Sequence, residues 1–229
     1  MPLIAHYKCN GDPNDASGNG NHGTATGGVW IAGKIGGAFD AQGSSEITVP
    51  TFWIGNEFTL SWWMNPATWT GTSARYVLAQ YLTTGNHRQW GLVYNGTAAE
   101  YQIYTSDNGI RYATASLGFG PATGWKQFAV TCNNTTRIWR VHVNGVFIIE
   151  VTAAYTFADQ GAPLTIAGRG GTGYFDAAFD DVRIDNGILP LWKIKAIYNG
   201  GKGSEECEPW QRLIRPVIRR TIQPLIGAA

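Results

Sequence analysis

Three runs between Trp125 and Val151 decide the reading: Trp125-Lys126-Gln127-Phe128-Ala129-Val130-Thr131-Cys132, Thr136-Arg137-Ile138-Trp139-Arg140-Val141-His142-Val143 and Val146-Phe147-Ile148-Ile149-Glu150-Val151. In the second, Trp139, Val141 and Val143 alternate with Ile138, Arg140 and His142, a period of two that belongs to a strand. Asn144-Gly145 then turns the chain, and that dipeptide supplies the positive φ values of a two-residue hairpin. The same pattern recurs outward. Phe58, Leu60, Trp62 and Met64 alternate with Thr59, Ser61, Trp63 and Asn65. Glu46–Val49, Tyr76–Gln80, Trp90–Tyr94, Tyr101–Tyr104, Pro163–Ala167 and Ala178–Ile184 are further short runs, with Asn95-Gly96 and Asp107-Asn108-Gly109 as turn signals. Roughly a dozen short strands at this spacing predict an all-β sandwich.

Composition agrees. Charged residues are 14% of the 229, against about 25% in an average soluble chain. The 30 glycines are nearly twice the usual share, and aromatics reach 13% with ten Trp and ten Tyr. That charge deficit excludes a long amphipathic bundle, and the aromatics exclude disorder over most of the chain. A net charge of +1 excludes a protein that coats nucleic acid with its whole surface. No apolar run approaches the ~20 residues of a membrane span. The start, Met1-Pro2-Leu3-Ile4-Ala5-His6-Tyr7, has neither a basic region nor an apolar stretch of leader type, so export by the general route is not expected unless a leader has been trimmed. Three widely spaced cysteines form no disulfide framework. Cys9 and Cys132 are expected as buried thiols inside strands, and Cys207, among Glu205, Glu206 and Glu208, as a poor nucleophile.

Only two segments read as helical: Leu189 to Tyr198, stopped by Asn199-Gly200-Gly201, and the stretch from Pro209. A boundary near Gly203 gives a domain over 1–203 and a C-terminal arm over 204–229. In the arm, Trp210, Leu213, Ile214, Val217, Ile218, Ile222, Leu225 and Ile226 follow helical spacing, beside Arg212, Arg215, Arg219 and Arg220. Pro216 and Pro224 break any continuous helix. Four Arg among so many aliphatics make a poor strip for nucleic acid. A lone segment of this size cannot bury its own apolar residues. Trp210, Leu213, Ile214, Arg215, Val217, Ile218, Arg219 and Ile222 are therefore read as a docking surface for a partner, against the alternative of a tail folded on its own domain.

The run Asn14-Asp15-Ala16-Ser17-Gly18-Asn19-Gly20-Asn21-His22-Gly23 is a tight loop rich in hard oxygen donors. Such oxygens suit Ca²⁺, which takes six to eight of them. An Asx-rich turn without metal fits equally.

These landmarks, in order, carry a resemblance. The first loop is followed by Gly33-Lys34-Ile35-Gly36-Gly37-Ala38-Phe39-Asp40, then by Phe58 to Pro66, Gly124 to Thr131, Val143-Asn144-Gly145-Val146, Phe179-Asp180-Asp181-Val182-Arg183-Ile184 and Ile197-Tyr198-Asn199-Gly200-Gly201. Over residues 3 to 201 the chain resembles the laminin-G-like, or concanavalin-A-like, lectins. The resemblance implies a two-sheet antiparallel jelly roll with a short C-terminal extension. It also implies one structural calcium ion between the first loop and the last strand, with Asp15 and Asp180 as ligands and Asn21 as a helper. Where many relatives have Asp-Gly this chain has Asn10-Gly11, so one carboxylate is missing.

Catalysis is not expected. Glycan hydrolases of this fold place two carboxylates two or four residues apart on one strand, as nucleophile and acid/base. Among the seven Glu only Glu206 and Glu208 have such spacing, and they lie in the arm. Asp181 and Asp185 share strand parity but belong to the family's structural last strand. Gly168-Arg169-Gly170-Gly171-Thr172-Gly173 lacks the helix a phosphate cradle needs. Ligand binding remains: Trp69, Trp30 and Trp53 sit in or beside loops, and an exposed Trp suits a sugar's apolar face or a protein partner. Trp63, Trp125 and Trp139 are assigned to the core. The expected function is a non-enzymatic structural or attachment protein of a virus particle. Its arm would engage other virion or surface proteins in an oligomer or larger assembly, and glycans would be a further partner. The alternative is an extracellular or cell-surface carbohydrate-binding module, and a glycanase or lyase ranks last. Neither nucleic acid nor membrane is an expected partner.

Overall fold

The structure, a computed structural model, describes residues 2–68, 71–82, 84–107 and 109–206. Trp69 and the docking residues Trp210 to Ile222 lie outside them. Among the described residues fifteen strands form in chain order: β1 Leu3–Tyr7, β2 Thr24–Thr26, β3 Val29–Ala32, β4 Gly37–Asp40, β5 Glu46–Val49, β6 Glu57–Pro66, β7 Ala74–Tyr81, β8 Arg88–Asn95, β9 Glu100–Ser106, β10 Tyr112–Ser116, β11 Lys126–Asn133, β12 Ile138–Val143, β13 Val146–Thr152, β14 Leu164–Ile166 and β15 Ala177–Asn186. The α-helix described after them is α1 Leu191–Tyr198. The first sheet runs β13-β12-β11-β6-β15-β4-β3, with β1 also paired to β15. The second runs β10-β9-β8-β7-β14-β5-β2. All strand pairings are antiparallel, so the expected two-sheet sandwich is what forms.

The core lies between the sheets and follows the period-two pattern. Phe58, Leu60, Trp62 and Met64 of β6, with Val130 and Cys132 of the neighbouring β11, share this core with Trp90 and Leu92 of β8 and Tyr101 and Ile103 of β9 in the opposite sheet. Trp62 stacks on Phe128 with ring centroids 5.3 Å apart and planes at 11°. Each such side chain contributes roughly 1.5–3 kcal/mol by leaving water. Trp139 belongs to this core, whereas Trp125, just ahead of β11, is only half-buried. Cys132 lies in β11, but Cys9 lies past the end of β1 with φ of 55°; both are free and buried.

The outer face of the first sheet is covered as well. After β15 the chain doubles back, and α1 lays Ile194 and Ile197, with Leu189, on Ala129 of β11. Asn199 ends the helix in the left-handed region at φ 50°. Tyr198 stacks on Trp63 at 5.8 Å, so Trp63 is buried outside the sandwich rather than between its sheets. Ser204–Glu206 remain packed: Arg183 Nη2 donates to the carbonyls of Ser204 and Glu206, and Asn10 Nδ2 donates to Glu205 Oε1 at 2.8 Å. Packing on the domain thus continues past Gly203 over the last described residues, Ser204–Glu206.

β15 carries a bulge. Asp180 pairs with Trp63 and Arg183 with Ser61, so two residues stand opposite one. Asp181 takes φ of 49° there. The bulge brings Asp181 to the face of Arg183 and His6, where Oδ1 meets His6 Nε2 at 2.5 Å and Oδ2 accepts from Arg183 Nε at 3.4 Å. All three are fully buried. Burial lowers the His6 pKa, and the bond to Asp181 opposes that.

A tyrosine and arginine cleft on the second sheet

Asp15, Asn21 and Asp180 are the residues expected to hold calcium, and they form two separate networks. Both Asp15 oxygens are occupied by donors. Oδ1 accepts from the amides of His6 and Ser17 at 2.9 and 2.8 Å, and Oδ2 accepts from Ser17 Oγ and the Asn21 amide at 2.8 and 3.0 Å. Burial would raise this carboxyl's pKa, but the donors outweigh it and hold it below the usual range. Asn21 Nδ2 donates to the Ile4 carbonyl. Asp180 stands elsewhere, its Oδ2 accepting from the Ile35 amide at 2.7 Å. Among the described residues no three His, Cys, Asp or Glu gather where they could hold a metal. A donor set of N–H and O–H groups does not suit a cation: Asp15 organises an Asx turn, and Asp180 is a buried carboxyl.

The two described tryptophans assigned to ligand binding pack on the protein instead. Trp30, half-buried on β3, sits 5.2 Å from Phe39, and Trp53, between β5 and β6, meets Phe157 edge-on at 6.1 Å. Trp53 is 37% exposed, and neither residue lines the cleft on the second sheet.

The concavity lies on the outer face of the second sheet. It is a cleft of about 500 Å³ lined by Tyr76, Tyr81, Tyr104, Tyr112, Arg88 and Arg169, with Asn95, Gln102 and Thr114 as neutral polar groups. Strand geometry explains how the tyrosines reach it. Along β9, Tyr101 and Ile103 enter the core, so Gln102 and Tyr104 point out. Along β7 a bulge between Tyr76 and Leu78 sends Val77 and Leu78 both inward and leaves Tyr76, Ala79 and Tyr81 outside. Gly91 faces Tyr104 across the sheet, and a Cβ there would lie 3.3 Å from Tyr76 Cδ1, so glycine keeps the floor low between aromatic walls.

The rings form one set. Tyr81 stands 5.2 Å from Tyr76 and 5.4 Å from Tyr104, and Tyr112 stacks on Tyr104 at 5.3 Å. Arg169 Cζ sits 4.9 Å from the Tyr76 ring and 5.2 Å from that of Tyr81, while its Nη1 donates to the Tyr76 hydroxyl at 3.2 Å. Arg88 Cζ lies 5.6 Å from the Tyr81 ring. Such cation–π contacts hold a guanidinium in place without a carboxylate. Burial pushes the Tyr76 hydroxyl up to about 12, against the pull of Arg169, and burial also raises that of Tyr104. Neither Tyr76 nor Tyr104 ionises at neutral pH, so both act as neutral donors and acceptors.

Arg169 comes from the loop after β14, and the buried Glu46 of β5 organises that loop. The Glu46 carboxylate accepts from the amides of Gly170 and Gly171 at 3.1 and 2.7 Å. A Cβ at Gly168 would stand 2.1 Å from Glu46 Oε2, so only glycine passes there. The Gly168–Gly173 run thus wraps a carboxylate of its own fold.

A family model described as the concanavalin A-like lectin/glucanases superfamily matches residues 39–193, more than half of the chain. A search of curated proteins returns no match. Among solved structures, the chain is similar to domain 4 of AbnA, a GH43 extracellular arabinanase from Geobacillus stearothermophilus, in complex with arabinotriose. The TM-score is 0.69 at 23% identity, over 84% of this chain and 96% of that one. It is also similar to the binding domain of Paraclostridial Mosquitocidal Protein 1, with TM-score 0.68 at 14% identity over 87% of this chain. A third is the botulinum neurotoxin serotype D ligand binding domain in complex with N-acetylneuraminic acid, with TM-score 0.63 at 13% identity over 87%. The chain spans about half the length of each toxin domain, 52% and 51%. At these identities the likeness is one of fold.

Proposed function

The chain belongs to the concanavalin A-like lectin/glucanase superfamily, and from that premise we propose that it is a non-catalytic glycan-binding module whose site is the tyrosine cleft. The observation that carries the reading is the cleft itself: four tyrosines wall a concavity whose remaining polar groups are amide, hydroxyl and guanidinium. Tyrosine rings offer a flat apolar surface to the C–H face of a sugar, and the polar groups offer donors and acceptors to its hydroxyls. No Asp or Glu lines the cleft, so a hydrolase's paired carboxylates have no place in it. Proteins of the same fold solved with arabinotriose and with N-acetylneuraminic acid add support.

Tyr112 is the ring to test, because it is 59% exposed and little of the core depends on it. On a glycan array followed by titration calorimetry, Tyr112→Ala is expected to weaken the best ligand about tenfold, or ~1.4 kcal/mol. Its melting temperature should stay within about 3 °C of wild type, and Trp53→Ala should leave affinity unchanged. Equal affinity for Tyr112→Ala and wild type would remove the cleft from the reading.

The finer reading places the module on a virion as a decoration or attachment protein, or on a cell surface as the alternative, held there by residues 207–229. What supports an assembly role is the chain's composition after Glu208, where no acid follows and eight large apolar residues accompany four Arg. Arg183 fastens the root of that segment to the domain. A chain ending at Glu206 should stay folded and bind glycan, yet sediment as a monomer where the full chain assembles. Identical sedimentation of the two would end the docking-arm reading.

A further inference from the structure

On the glycan reading of the cleft, the geometry points to an anionic saccharide as its ligand, one bearing a carboxylate or a sulfate. The cleft carries two positive charges that the fold leaves without a counter-charge. Arg111, Arg140 and Arg183 each pair with a carboxylate, to Asp107, Glu150 and Asp181. Among the described residues Arg88 and Arg169 have no such partner, although both are half-buried. Arg169 spends Nε on Thr172 Oγ1 and Nη1 on the tyrosine hydroxyls, all neutral groups. Arg88 Nε is buried with no hydrogen-bond partner at all.

The nearby acids are engaged elsewhere. Glu46 holds the Gly170 and Gly171 amides, and Glu100 accepts from Gln102 Nε2 at 3.0 Å and Ser116 Oγ at 2.6 Å. A guanidinium removed from bulk water without an anion is costly, and stacking on tyrosine offsets only part of that. An anion entering the cleft meets two forked donors held in fixed positions, which favours charge-assisted and bidentate bonding. Buried Ala79 and Val93 beside the tyrosine rings give that pair an apolar surround, where screening is weaker than at an open surface. Neutral sugars would satisfy Asn95, Gln102 and Thr114 but leave both guanidiniums unmatched.

The test is a glycan array at about 0.15 M salt, where exposed charges are screened beyond ~8 Å. It carries uronic-acid and N-acetylneuraminic-acid oligosaccharides, their methyl esters, sulfated oligosaccharides and their desulfated parents. Hits are then titrated with wild type, Arg88→Gln and Arg169→Gln. Acidic forms should bind wild type at least tenfold tighter than the matching ester or desulfated parent. Each variant should cut that preference to about threefold or less while still binding the neutral form. Gain in the carboxylate pairs alone would assign a carboxylate sugar; gain in the sulfate pairs alone would assign a sulfated one. Equal affinity for charged and neutral partners would overturn the anionic assignment and leave the glycan reading standing. Absence of binding to every glycan would overturn both.

Discussion

Arg183→Ala should lower the stability of the domain by about 3–5 kcal/mol, the usual cost of removing one member of a buried ion pair. The side chain is fully buried and does three things at once. It neutralises Asp181, it donates to the Ser204 carbonyl at 2.7 Å, and it donates to the Glu206 carbonyl. Alanine leaves Asp181 inside the protein with His6 as its remaining partner, at 2.5 Å. Burial disfavours the charged form of His6, so the imidazole is a weak substitute for a guanidinium. The carbonyls of Ser204 and Glu206 lose a donor in the same step. For a domain of this size the expected fall in melting temperature is roughly 10 °C. Proteolysis should also cut near residue 204 well below that temperature, because the strap over the first sheet loses its fastening. Arg183→Lys should fall between the two, since one ammonium cannot span Asp181 and two carbonyls. A melting temperature for Arg183→Ala within about 2 °C of wild type would contradict this account.

Different parts of the molecule were legible in the sequence for different reasons. β6, β11 and β12 stand out because each keeps a period of two in the sequence, and the Asn144-Gly145 turn joins β12 to β13. The helix end at Asn199 was legible for the same local reason. Bulges were not legible. Counting by twos puts Phe179 with Asp181, Arg183 and Asp185, yet the extra residue at Asp181 resets the count and turns Phe179 into the core with Val182 and Ile184. In β7 a similar slip turns both Val77 and Leu78 into the core and Tyr76 out of it.

The cleft depends on that slip and on a loop arriving from the far end of the chain. Of the tryptophans near loops that the sequence offers as a binding surface, Trp30 and Trp53 pack on Phe39 and Phe157. The usable signal lay in β9, where Tyr104 shares parity with Gln102 and Ser106 rather than with Tyr101 and Ile103. A tyrosine in phase with polar neighbours faces out, and Arg169 in a glycine-rich loop could then have been sought as its companion.

Asp180→Asn should change how stability depends on pH. Asp180 is fully buried, Oδ2 is satisfied by the Ile35 amide at 2.7 Å, and Oδ1 has no partner. Burial first, then the nearby charges of Asp181 and Glu205, push its carboxyl up to about 8 from 3.8. The folded state therefore keeps a proton that the unfolded chain gives up. Stability from this group is complete below pH about 4 and is lost as pH rises toward 8. At about 1.4 kcal/mol per pH unit, the loss by pH 7 is on the order of 2–4 kcal/mol. Asparagine keeps an oxygen for the Ile35 amide and has no proton to lose. Its own N–H₂ group must find room at Oδ1, which costs about 1–3 kcal/mol at every pH. The variant should thus be no better than wild type at pH 4 and gain on it steadily up to pH 8. Parallel stability curves from pH 4 to 8 would refute the buried, protonated carboxyl. The same denaturation series with chelator and with millimolar calcium settles the rival explanation of this residue. Amide donors at Asp180 predict superimposable wild-type curves, whereas a calcium-dependent rise in wild type that Asp180→Asn abolishes would restore the cation that the donor set argues against.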